Sequence, residues 1–178
     1  QEKHMKKITH MHSNDIGQIK FFLKWEYIAL YEYIGTEGFD SNLESIKGKF
    51  DHRLSIKEIK DILGLLIESR LIETDPKKGY IKARKNIDLT GRFINEDFME
   101  FYTQMINQSL YALSNNDLEM CYFSSSTMHI DLKHLPAIKD KISELRKDIV
   151  RAVDAELDGD EVYQINMQYF NLIPGNVE

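Results

Sequence analysis

The sequence predicts an α+β protein, a winged helix-turn-helix followed by a helix-strand-helix-strand unit. Three observations carry this. Ser41 with Glu44 and Ser55 with Glu58 each form a Ser-x-x-Glu pattern opening a run of apolar residues at helical spacing. Asp75 to Gly79 (DPKKG) sets Pro and Gly at turn positions between two short strand-forming stretches. Farther on, a long helical pattern separates two segments of strand character, 120–130 and 162–172.

The chain has 178 residues, 42% of them hydrophobic, enough for a genuine core in one large domain or two small ones. Its single cysteine, Cys121, excludes an internal disulfide and a Cys-rich zinc site, and reads as a buried free thiol in a reducing compartment. No apolar run approaches the roughly 20 residues that cross a bilayer, and the start QEKHMKK lacks the apolar stretch of a secretory signal. A cytoplasmic protein without membrane contact is expected. The net charge is -6, but it is unevenly spread. Residues 41–92 hold 12 Lys and Arg against 8 Asp and Glu, while the remainder holds 11 against 21. A polyanion would therefore meet the middle segment.

Residues 1–17 are polar and aperiodic and read as a tail or linker. The winged helix-turn-helix is placed at 18–92. Its first helix, 19–34, is apolar on nearly every side, with Phe21, Phe22, Trp25, Tyr27, Tyr31 and Tyr33, so it should be buried on more than one face. Gly35 and Gly38 end it. A short helix follows from Ser41, with Leu43, Ile46 and Phe50 as its stripe. Ser55 opens the next helix, whose stripe is Ile56, Ile59, Leu63, Leu66 and Ile67. Residues 71–74 and 80–84 form the hairpin about DPKKG, which completes the order of a winged helix.

Residues 93–178 form the second unit. A helix over 93–113 carries Ile94, Phe98, Phe101, Met105 and Ile106 on its apolar side. The strand 120–130 and the helix 132–157 follow, the latter capped by Asp131 and striped by Ile138, Ile142, Leu145, Ile149 and Val153. In the last strand, 162–172, Tyr163, Ile165, Met167 and Tyr169 alternate with polar residues. The long crossover makes these two strands parallel. Two strands alone are marginal, so they must join the hairpin, pack on the aromatic helix or pair with a second subunit. The last route leads to a homodimer.

From FLKWEYIAL to FNLIP the chain resembles a bacterial domain of unknown function that forms the C-terminal part of a family of helix-turn-helix transcriptional regulators. The resemblance rests on Trp25 and Tyr27 in the aromatic helix, on Leu65, Leu66, Leu71 and Ile72 before the wing, on FSSSTMHID from Phe123, and on VYQINMQYF from Val162. It implies a winged helix joined to a family-specific α/β unit, with a separate helix-turn-helix domain ahead of it that is not read in this chain. It brings no catalytic motif. Phe170-Asn171-Leu172 departs from the expected proline after the phenylalanine, which concerns the terminal turn.

If the winged helix meets DNA, the candidate contacts are Lys57 and Lys60 on its third helix and Lys77, Lys78, Lys82, Arg84 and Lys85 on its wing. The third helix also exposes Glu58, Asp61 and Glu68, which oppose phosphate, so the wing is the better edge. A solvated lysine-rich hairpin is the competing account. His129, Asp131 and His134 are the only set resembling metal ligands, and a cap with two surface histidines explains them better. Ser124 to Thr127 lack a nucleophile elbow, and Glu156, Asp158, Asp160 and Glu161 lack a calcium-loop pattern. Gln164, Asn166 and Gln168 fit a face toward water or another strand better than a ligand site. Without a phosphate loop, dinucleotide fingerprint or metal helix, neither an enzyme nor a cofactor is expected. The expected function is a transcription-regulator module that binds DNA through a basic wing or regulates an upstream DNA-binding domain. The alternatives are an interaction or dimerisation module, with a second copy or another regulatory protein as partner, and a small-ligand sensor.

Overall fold

The computed structural model describes residues 24–83, 95–154 and 159–173. It is a mixed α+β chain of five helices and one two-stranded antiparallel sheet among the described residues. By its internal contacts the chain divides into Gln1–Asn107 with Asp158–Val162, and Gln108–Leu157 with Tyr163–Glu178.

The first unit has the expected order of three helices and a hairpin. Helix α1 spans Trp25–Ile34 and ends at Gly35. Helix α2 is Leu43–Lys49 and helix α3 is Ile56–Glu68. Strands β1, Ile72–Asp75, and β2, Gly79–Lys82, pair with Ile72 opposite Lys82 and Asp75 opposite Gly79. Leu30, Tyr31, Tyr33 and Ile34 of α1 pack with Ile46, Phe50 and Leu54, with Ile59, Ile62, Leu63 and Leu66 of α3, and with Leu71 and Ile72. The broad apolar surface of α1 is thus used on several sides at once.

Two details differ from expectation. The α2 cap is Asn42 instead of Ser41, because the Asn42 carboxamide oxygen accepts from the backbone N–H groups of Glu44 and Ser45, starting the helix one residue later. Ser41 has another role. It lies so close to Gly79 that a β-carbon there would fall 2.4 Å from the Ser41 side chain, and Gly79 also has φ +79°. Only glycine meets both demands. In α3 the buried stripe includes Ile62, and Ile67 is 39% exposed. Ile59, Leu63 and Leu66 are buried as expected and Ile56 packs against the core, so Ile62 alone takes the place of Ile67 on the buried face.

The Ser55 capping box is present in full. Ser55 Oγ accepts from the Glu58 N–H at 3.2 Å, and the Glu58 carboxylate accepts from the Ser55 N–H at 2.8 Å and hydroxyl at 2.7 Å. These bonds hold the Glu58 carboxyl below the usual carboxylate range. Between α2 and α3 the chain reverses through Asp51 and His52, both in the left-handed region.

Helix α4, Asn95–Asn115, contains the division between the units. Met105 is buried, Ile106 is about half exposed, and Ile94 and the Phe98 side chain lie outside the described residues. Helix α5, Leu135–Asp154, follows a short 3₁₀ turn that Asp131 caps through the Lys133 N–H. Pro136 sits in its first turn, where a missing N–H costs nothing. The expected strands 120–130 and 162–172 are not strands. Leu118–Met120 is a 3₁₀ turn, and the residues after it, like those from 162 to 171, are irregular and join no ladder. Each has strand composition but no neighbour that supplies backbone partners, and alternation alone cannot make a sheet. The parallel pair is therefore absent, and Cys121 is a half-buried free thiol.

Candidate nucleic-acid interface

Besides Ile72 and Tyr80, which pack on the core that α1 shares, the hairpin is tied to α1 by a polar side chain, Lys82. Lys82 Nζ lies 2.6 Å from Glu32 Oε2 and 4.2 Å from the centroid of the Tyr31 ring, and the Lys82 side chain is only 15% exposed. Its stem crosses Gly35 so closely that a β-carbon there would sit 2.7 Å from Lys82 Cδ. A lysine with its charge paired and its stem covered anchors the strand. Lys82 is thereby separated from the rest of the candidate set.

At the other end of the hairpin, the Asp75 carboxylate accepts from the N–H groups of Lys77 and Lys78 at 2.8 and 2.7 Å. These bonds hold the Asp75 carboxyl below the ordinary range and close the turn from within. The Lys77 and Lys78 side chains are left exposed at its tip. On α3, Lys57 and Lys60 are exposed as well. None of these four lysines forms an ion pair with a described residue. Arg84 and Lys85 lie outside the described residues.

Other cations of the first unit are engaged. Lys47 pairs with Glu44 at 3.8 Å and Lys49 with Glu161 at 3.1 Å, while the Arg53 guanidinium stacks 4.3 Å above the Trp25 ring. Glu58 is held in its capping box, so of the acids expected to oppose phosphate on α3, Asp61 and Glu68 keep exposed side chains outside such a box. One cation was missed in the sequence. Arg70, exposed at the end of α3 with φ +56°, adds a positive side chain just before β1. Its signal was only its place after the last helical residue.

In the second unit His129, Asp131 and His134 do come together, with Ile138 and Lys141, around an open depression of about 490 Å³. Asp131 is committed there to Lys133, through the backbone N–H at 3.0 Å and the ammonium at 2.7 Å, and its carboxyl is held below the usual range by both. Among the described residues no three His, Cys, Asp or Glu side chains are placed to share a metal ion. Asn166 donates to Ser109 Oγ at 2.6 Å and accepts from Gln164, so part of the polar face of 162–172 is spent within the chain. Glu156 and Asp158 lie outside the described residues. No described helix is long and apolar enough to cross a membrane.

Over residues 2–172 the chain matches a family described as a domain of unknown function (DUF4423). No curated protein and no solved structure matches it.

Proposed function

The chain belongs to the DUF4423 family, and we propose that it is a non-catalytic transcription-regulator module whose first unit is a winged helix meeting DNA phosphates through the hairpin tip. The observation that carries this reading is the contrast between the lysines of the hairpin. Lys82 is consumed in fixing the hairpin to α1, whereas Lys77 and Lys78 are presented at a turn closed by Asp75. A rigid turn with two exposed ammonium groups suits phosphate contact, because little conformational freedom remains to be lost in the backbone on binding. Lys57 supports the same reading. A cation in the first turn of α3 opposes the helix dipole, so it does not serve the stability of that helix.

The test is binding of a duplex DNA fragment, followed by fluorescence anisotropy at low salt. Changing Lys77 and Lys78 together to Ala should weaken binding, and changing Lys82 to Met should not. An intact chain that binds no duplex at low salt would overturn the reading.

A second reading, that α3 docks a protein such as another regulator, has its own support. Ile67 is 39% exposed on that helix, and a β-carbon added at Gly64 would meet nothing within 4 Å. An exposed apolar side chain near an open backbone position favours close approach by another polypeptide. Retention of that partner by the wild type and its loss on Ile67→Glu would favour this reading over phosphate contact.

A further inference from the structure

The second unit has apolar surface without a core. Among its described residues none is buried, in contrast to the first unit with its continuous cluster. Tyr122 is 89% exposed, Ile173 84%, Leu132 77% and Phe170 72%. Each of these four turns most of a large apolar side chain toward solvent. On helix α5 Leu145 is 54% exposed, while Leu135, Ile138, Ile142 and Ile149 are half-buried. Folding order in such a unit requires a cover.

We infer that the cover is a second copy of this chain, so that the second unit is completed as a homodimer. The α5 stripe supplies the first argument. Leu135, Ile138, Ile142, Leu145, Ile149 and Ala152 recur at alternating steps of three and four, the seam of a two-helix coiled coil. Ile142 and Ile149 hold one set of positions and Leu145 the other, so the same helix turned upon itself offers matching knobs and holes. A two-fold contact requires such self-complementarity, since each patch meets its own copy.

The charge pattern supplies the second argument. The segments 121–130 and 162–173 contain no Asp, Glu, Lys or Arg. Native sheets protect unpaired edges with charge, and these two segments, which join no ladder within one chain, carry none. A charge would meet its own sign near the axis of a two-fold pairing, whereas a neutral segment pairs with its copy without that penalty. With Asn166 held by Ser109, Tyr163 and Ile165 remain exposed at 64% and 42% for that contact. The inference does not rest on DNA binding by the first unit.

Sedimentation equilibrium on the full chain from 1 to 100 µM tests it. The mass should be twice the 20.9 kDa of one chain, and Tm should rise with concentration. Leu145→Glu alters a side chain already half exposed in one chain, so it removes no contact of the first unit's core. It should raise the dimer dissociation constant about 100-fold, since two copies of the leucine leave the seam. Lys60→Glu, in the first unit, should leave the mass unchanged. A single-chain mass at 100 µM, with Tm independent of concentration, would overturn the inference. So would any mass other than two chains, or a dimer that survives Leu145→Glu undiminished. A two-chain mass together with a concentration-dependent Tm in the wild type decides the matter even if the variant is unstable.

Discussion

Replacing Lys82 by Ala removes three contacts at once, and each has a size that the structure constrains. Its stem is covered to the point that the side chain is only 15% exposed, which is worth about 1 kcal/mol of burial. The ammonium 4.2 Å above the Tyr31 ring adds about 0.5–1 kcal/mol. The pair with Glu32 is short at 2.6 Å, but Glu32 is 44% exposed, so solvent screening keeps the pair near about 1 kcal/mol. The loss should be about 3 kcal/mol, seen as a fall in Tm of roughly 6–12 °C. A double-mutant cycle by urea unfolding, with Lys82→Ala, Glu32→Ala and both, isolates the pair. The expected coupling is about 1 kcal/mol. A coupling below about 0.3 kcal/mol, or a Lys82→Ala protein as stable as the wild type, would refute the claim that Lys82 fixes the hairpin.

Three further outcomes follow from the same geometry. Ser55→Ala should cost about 1 kcal/mol in urea unfolding, because it removes the acceptor for the Glu58 N–H at the start of α3. That deficit should shrink on acidification. The Glu58 carboxyl is held below its unfolded value, so its stabilisation is fully present above about pH 4.5 and is lost as pH falls through the folded value. Wild type and Ser55→Ala should therefore draw closer as pH falls below about 4.5, by the share of the deficit that the bond from the Ser55 hydroxyl to the ionised Glu58 carboxylate carries, and a constant gap there would contradict the capping account. Gly64→Ala should raise stability by up to about 1 kcal/mol, since Gly64 lies within α3 and an added methyl group meets nothing, and calorimetry showing a lower Tm would contradict it.

The features legible in the sequence are those whose causes are local. Ser55 and Glu58 are three residues apart and satisfy each other, so their pattern specifies the helix start without help from the rest of the chain. The DPKKG turn is equally self-contained, with Asp75 bonding two and three residues ahead. Errors arose where two local options compete or where a distant partner decides. Ser41 and Asn42 both suit a helix cap, and the need for Ser41 against Gly79, 38 residues away, is invisible in a local reading. Lys82 looked like a wing cation because the residues that capture it, Tyr31 and Glu32, lie about 50 positions earlier. Segments 120–130 and 162–172 have the alternation of strands, but a strand is defined by what pairs with it. Their composition cannot name that neighbour.

The central claim is that Lys77 and Lys78 touch phosphate while Lys82 serves the fold. It is tested most directly by the dependence of duplex affinity on salt, measured for the wild type, for Lys77→Ala with Lys78→Ala, and for Lys82→Met. Each lost phosphate contact should flatten the plot of log affinity against log salt by about 0.9. The account predicts a slope shallower by about 1.8 for the double variant and unchanged for Lys82→Met. Equal slopes for the wild type and the double variant, or a loss of slope on changing Lys82, would contradict it.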